Sequence, residues 1–366
     1  MREYDYLNAR VRAMGADLLP NLFFEQLLSL DSEDVPMDAL LASPFGPALR
    51  EGLAHAAGIA AVEWALRHDL ARCFAKVRRM APPDARGLLD TQLARWDIQN
   101  VLAVLKGLEK KAGGAETSVA EIAAALLPAG AFPEAQLMEL ARSPDPASVA
   151  RKLATWNYPF AFELRGALIE RHGASFDLAR AEMRMYRAYF AWALGLESSD
   201  KESRHVVRDL LREQIDLANI RMSLDAVRRR AAGAEGGQPP APVSAGQPPS
   251  LIPGGRLPRK FLRRLLGCAT LEEAFSAIDE SYFAPGIEKG ILAYGESRSL
   301  GVMERFLEEV IIQAGCRLYR HDLLDVSVPI GYLWRKLNET VNLRALCRGR
   351  HARIPVNAIR KELLLV

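Results

Sequence analysis

Four of the eight asparagines in this 366-residue chain stand three positions after an acidic residue: Asp5/Asn8, Asp97/Asn100, Asp216/Asn219 and Glu339/Asn342. Acidic residues number 45, so chance would put roughly one asparagine in such a pairing on a shared helix face. Asparagine is a poor interior helix residue, because its amide competes for backbone hydrogen bonds. Its repeated use at this spacing predicts that each side chain bonds something outside its own helix. Such pairs can lock the packing between units, or they can line a surface that the units share; both readings are open at this stage. Three of the pairs run on into an N-x-R core, Asn8-Ala9-Arg10, Asn219-Ile220-Arg221 and Asn342-Leu343-Arg344, from which Asn100-Val101-Leu102 departs.

Catalytic chemistry has no comparable signature. The chain contains no G-x-x-x-x-G-K-[ST] phosphate loop, no G-x-S-x-G elbow, no H-E-x-x-H helix and no paired C-x-x-C. His55, His68, His172, His205, His321 and His351 stand apart, and His68-Asp69 and His321-Asp322 read as polar surface neighbours rather than metal ligands. Cys73, Cys268, Cys316 and Cys347 are scattered and read as reduced cytosolic thiols. No cofactor, metal or small-molecule substrate is expected. Basic side chains do cluster: Arg256, Arg259, Lys260, Arg263 and Arg264 around Pro258, then Arg228-Arg229-Arg230, and Arg344, Arg348, Arg350 and Arg353 near the end. These are either solvated faces or docking patches for an acidic partner or lipid headgroups. A formal net charge of only +3 makes nucleic acid an unexpected partner.

The elements that must position these residues are helices. Hydrophobic residues make up 49% and charged residues 25% of the chain, the balance of a soluble globular protein. At this length a core needs no disulfide or metal. No apolar run reaches membrane-spanning length, and Met1-Arg2-Glu3-Tyr4-Asp5 is not expected to open a signal peptide. Apolar residues recur at helix period in Val302–Ile311, and similar stripes run through Ile59–Val77, Phe176–Leu194 and Ser203–Val227. Strand-like alternation is scarce, so the expected class is all-α. Between Ala231 and Ser250 the sequence AAGAEGGQPPAPVSAGQPPS has no apolar period, which predicts a flexible Gly/Pro-rich loop over 231–250.

Punctuation repeats along with the asparagines. Leu126-Leu127-Pro128-Ala129-Gly130 matches Leu251-Ile252-Pro253-Gly254-Gly255, and each continues into apolar-Pro (Phe132-Pro133, Leu257-Pro258) and a new helix carrying Leu137/Leu140 or Leu262/Leu265. Leu18-Leu19-Pro20 followed by Gln26-Leu27 is a shorter version. Three copies of one helical unit are the simplest account. We place them at residues 1–95, 96–213 and 214–366, the last with a closing C-terminal helix.

At its two ends the chain resembles a known family. Tyr6-Leu7-Asn8-Ala9-Arg10-Val11-Arg12-Ala13-Met14 followed by Leu18-Leu19, and Pro329-Ile330-Gly331-Tyr332-Leu333-Trp334-Arg335-Lys336 followed by Glu339-x-x-Asn342-Leu343-Arg344 and Arg348-Gly349, are similar to the central-stalk C subunit of V-type and archaeal A-type rotary ATPases, whose eukaryotic counterpart is the d subunit. The resemblance extends over the chain apart from the 231–250 loop, which is longer than the family leads one to expect. It implies an all-helical, funnel-shaped protein of three units about a pseudo-threefold axis, peripheral to the cytoplasmic face of a membrane. It further implies that the protein holds the central axle on one side and the proteolipid ring on the other, passing rotation between them without catalysing anything. Asp5, Asn8, Arg10, Asp97, Asn100, Asp216, Asn219, Arg221, Glu339, Asn342 and Arg344 are then the residues expected to brace or line the inner surface. A soluble helical scaffold for other proteins would also explain repeats without an active site, but solenoid periods of roughly 20–50 residues are far shorter than this one. A helical enzyme would want a D-D-x-x-D motif or a pair of E-x-x-H helices, and neither is present, Glu202-x-x-His205 standing alone.

Overall fold

Each helix-period stripe becomes a helix, and the prolines and glycines between them become the breaks. The computed structural model describes residues 4–30, 34–114, 117–169, 176–198, 200–235, 251–320 and 325–366. Among the described residues there are eighteen α-helices and no strand. In the first part of the chain these are α1 (Asp5–Gly15), α2 (Asn21–Ser29), α3 (Met37–Ala42), α4 (Gly46–His55), α5 (Gly58–Met80) and α6 (Pro83–Ala112). Then come α7 (Val119–Ala124), α8 (Glu134–Ala141), α9 (Pro146–Thr155), α10 (Ala161–Ile169), α11 (Leu178–Gly195) and α12 (Lys201–Glu235). The chain continues with α13 (Arg259–Gly267), α14 (Leu271–Asp279), α15 (Ala284–Ser297) and α16 (Leu300–Arg317), a 3-10 turn at Leu318–Arg320, α17 (Ser327–His351) and α18 (Val356–Glu362). Helix α12 carries on through Ala231–Glu235, five residues into the expected loop, because Arg and Ala favour helix and an isolated Gly233 costs only about 1 kcal/mol. The remainder of that loop, 236–250, lies outside the described residues, as do His172, His321 and Asp322.

Two compact units form. One gathers Met1–Val149, Ser198–Arg204 and Gly315–Val366, and the other Ala150–Glu197 and His205–Ala314. The first is organised around α17. Val328, Ile330, Tyr332, Leu333 and Trp334 are all buried, so the opening turns are apolar on every side, the pattern of a helix enclosed by protein. Helices α1, α5 and α18 and the 3-10 turn pack around it. Gly331 is where the turn comes closest: a Cβ there would lie 2.0 Å from the Tyr319 backbone nitrogen. In the second unit α10 packs on α11 through an aromatic cluster, with the Phe160 ring 6.2 Å from Tyr189 and 5.8 Å from Trp192. The α16 stripe buries Met303, Leu307 and Ile311 completely.

Pro20, Pro133 and Pro258 each stand in extended backbone immediately before α2, α8 and α13. They act one position earlier than the usual first-turn proline, and a fixed φ without an N–H to satisfy suits that entry. Leu137, Leu140, Leu262 and Leu265 are buried on the helices that follow.

Gly331→Ala should therefore destabilise the first unit by about 3 kcal/mol or more, since backbone rather than a movable side chain blocks the added methyl. Gly295→Ala on α15, where a Cβ meets nothing within 4 Å, should instead stabilise by about 0.5–1 kcal/mol. Shifts of the urea-unfolding curve measure both.

Candidate functional site

The acid–asparagine pairs grip backbone. Asp97 and Asn100 lie one turn apart on α6 and are 1% and 2% exposed. The Asn100 carboxamide bonds both backbone groups of Leu127, Nδ2 donating to its carbonyl at 2.7 Å and Oδ1 accepting its N–H at 2.8 Å. Asp97 accepts the N–H groups of Ala131 at 2.8 Å and Phe132 at 3.2 Å. Gly130 admits the carboxylate, because a Cβ there would sit 2.1 Å from Asp97 Oδ1. Burial pushes the Asp97 carboxyl up to about 6, against the opposing pull of the two N–H donors.

The same construction recurs on α12. Asn219 bonds both backbone groups of Ile252, at 2.9 and 2.8 Å. Asp216 Oδ2 accepts the N–H groups of Arg256 at 2.7 Å and Leu257 at 3.0 Å, and the Tyr282 hydroxyl at 2.8 Å. Gly255 takes the place of Gly130, with 2.0 Å between its would-be Cβ and Asp216 Oδ1. Burial raises the Asp216 pKa despite the three donors, and burial together with Asp216 raises that of Tyr282. The repeated punctuation thus has a use at three points. Its second residue offers backbone to asparagine, its glycine makes room for the acid, and the residue before the next proline donates to the carboxylate.

On α17 the partners come from two segments. Asn342 bonds both backbone groups of Leu364, at 2.8 and 3.0 Å, and Asn338 donates to the same carbonyl at 2.8 Å. Glu339 accepts the N–H of Leu19 at 2.6 Å, the residue before Pro20, as Phe132 and Leu257 precede theirs. Glu339 also accepts from the buried Lys336 at 2.5 Å, and Lys336 reaches Asp69 on α5 at 2.7 Å. Burial alone would pull the ammonium pKa down, but Glu339 and Asp69 outweigh it and raise it.

The α1 pair behaves differently. Asn8 is buried and donates to the Asp325 carbonyl at 3.1 Å, while Asp5 is half-buried and Arg10 exposed. Leu19 is held by Glu339 rather than by Asp5. Of the other N-x-R arginines, Arg221 meets Glu308 at 3.2 Å and Arg344 meets Glu63 at 3.2 Å. Neighbours of α13 engage Arg256 (Asp209 and Glu213) and Arg264 (Glu280). Arg350 donates to the carbonyls of Leu27, Leu28 and Leu30 at the end of α2. His68 bonds the Trp64 carbonyl and Glu134, not Asp69. Lys336, Asp69, Asn338 and Tyr282 are polar partners that spacing alone missed; Lys336, three positions before Glu339, and Asn338, four before Asn342, left a local trace. Among the described residues no group of His, Cys, Asp and Glu could hold a metal ion, and no helix is long and apolar enough to cross a membrane.

Asn100→Ala and Asn219→Ala should each cost about 2–3 kcal/mol, because a buried N–H and C=O lose their partner together; chemical denaturation measures the loss. Asp97 binds its proton more tightly when folded, so its contribution is full below about pH 4 and fades as pH rises through about 6. The stability difference between wild type and Asp97→Asn should accordingly change across that interval and stay flat above it.

Comparison with known proteins accords with this architecture. Residues 7–362 match the family described as ATP synthase (C/AC39) subunit. The chain is 26% identical over 361 residues to the C subunit of the V-type ATP synthase of Deinococcus radiodurans, covering 98% of this chain and 91% of that one. It is 26% identical over 363 residues to the C subunit of the V-type ATP synthase of Thermus thermophilus, covering 99% and 98%. Against the C subunit of the A-type ATP synthase of Methanocaldococcus jannaschii it is 22% identical over 361 residues, covering 99% and 86%. With all three backbone-gripping helices, α6, α12 and α17, inside the matched span, the chain belongs to the ATP synthase (C/AC39) subunit family.

Proposed function

We propose that the chain is a non-catalytic central-stalk adapter of a rotary ATPase, joining the axle to the membrane's proteolipid ring and carrying rotation between them. The observation that carries this reading is the match to the ATP synthase (C/AC39) subunit family over residues 7–362, with V-type ATP synthase relatives aligned at almost full length. Its place is peripheral, on the cytoplasmic face. A part that transmits torque must resist twisting, and here the breaks at Leu127 and Ile252 and the segment after α18 at Leu364 are each tied to a long helix by two or more side-chain hydrogen bonds. Packing at native density makes small displacements costly, and these ties extend that stiffness to the breaks. We further propose that the three ties mark three copies of one unit, the copy held by α17 drawing its break from Leu19 and Leu364.

Affinity purification of the full-length tagged chain from detergent-solubilised membranes tests the assignment. Axle subunits and proteolipid should both be recovered with it, and recovery of neither from cells that express both would overturn the adapter role.

A further inference from the structure

The two breaks gripped by Asn100 and Asn219 differ in what lies against them. In the second unit the would-be Cβ of Gly254 lies 2.7 Å from a Leu194 methyl and 3.5 Å from one of Ile215. Large side chains therefore close over that break. In the first unit the break meets small ones. Ala71 and Ala75, one turn apart on α5, border a cavity of about 240 Å³ together with Pro128, Ala129 and Gly130.

The rest of its wall is basic. Arg78 and Arg79 lie in the last turn of α5 and Arg86 in the first turn of α6, and all three border the cavity. None of the nearby acids, Asp84, Asp90 or Asp97, does. Asp90 is taken by two nitrogens of Arg78, and Asp97 by the N–H groups of Ala131 and Phe132. The second unit balances its charge at this place. Asp209 stands seven residues before Asp216, as Asp90 stands before Asp97, and it shares Arg256 with Glu213. In the first unit Ala94 replaces Glu213, and Arg79 and Arg86 have no carboxylate partner among the described residues. Helix electrostatics explains Arg78 and Arg79, since cations suit a helix C-terminus, but it disfavours a cation at the position of Arg86. Arg86 donates to the Ala81 carbonyl at 3.0 Å, which keeps its guanidinium at the α5–α6 turn.

We infer that this cavity binds a dianionic phosphate group, as the free ion or as a phosphomonoester. Two guanidiniums without a carboxylate balance two negative charges. Phosphate also offers oxygens to several arginine forks at once, whereas a carboxylate brings two oxygens and a single charge. The volume falls below the roughly 300–1,000 Å³ of sites for drug-sized ligands, so it suits one phosphoryl group rather than a whole nucleotide. The site lies within the first unit and does not rest on the adapter reading.

Isothermal titration calorimetry on the purified full-length chain tests this, with inorganic phosphate and glycerol phosphate as separate probes. At about pH 8 both are dianions, and at least one should bind saturably; which one does distinguishes a free-ion site from an ester site. Arg79→Gln and Arg86→Gln should each weaken binding roughly tenfold and together abolish it. Ala71→Leu, which narrows the cavity and alters no charge, should weaken it by a similar factor. Arg72→Gln, on the same helix but paired with Glu51 outside the cavity, should bind as wild type does. Acetate at equal concentration should not compete. Circular dichroism verifies the fold of each variant. Absence of saturable binding of both probes overturns the inference, as does binding that survives the double substitution or the narrowed cavity. Equal weakening by Arg72→Gln and Arg79→Gln, or displacement by acetate, overturns it too, because either would report general positive charge rather than a site.

Discussion

Backbone that leaves a helix still needs partners for its N–H and C=O groups, and here those partners are side chains on a neighbouring long helix. A carboxamide satisfies both groups of one residue while a carboxylate one turn away takes N–H groups farther along the same break. The arrangement on α6 and α12 agrees residue for residue down to the glycine beside the acid, although Asp97 divides the two N–H groups between its oxygens and Asp216 takes both on Oδ2. On α17 the same two functions are served by segments far apart in sequence, Leu19 and Leu364. The long helices therefore bear the core on one side and index the connecting segments on the other.

This arrangement commits charge to the interior. Asp97, Asp216, Lys336 and Glu339 are all buried, and each is tolerable only because it is hydrogen-bonded or paired, since removing one partner leaves the other desolvated and alone. Buried charge of this kind is a weak source of stability but a strong source of register, because no shifted packing restores the same partners. The absence of any catalytic signature in the sequence is consistent with an interior devoted to holding shape.

Much of this is legible in the sequence, and the reasons for the rest are physical. The D/E-x-x-N spacing foretells asparagines that bond outside their own helices, because such a residue inside a helix has to be explained by something external. The matching Pro and Gly breaks foretell which segments repeat. What spacing does not reveal is connectivity: Asp5/Asn8 and Leu18–Pro20 are neighbours in sequence, yet Leu19 is claimed by Glu339 from α17. Asp69 could not be linked to Lys336 because they sit on different helices. Phe162, Ile169 and Leu292 look like core in sequence, since an apolar residue every three or four positions is the ordinary mark of a buried stripe, yet all three are exposed.

The claim that side chains hold the breaks as firmly as helices hold themselves is tested most directly by native-state hydrogen exchange. The amides of Leu127, Ile252 and Leu364, which donate to asparagine, and of Leu19, Phe132 and Leu257, which donate to carboxylates, should exchange as slowly as helix-interior amides nearby. Exchange of those six amides at the rate of unstructured loops would contradict it.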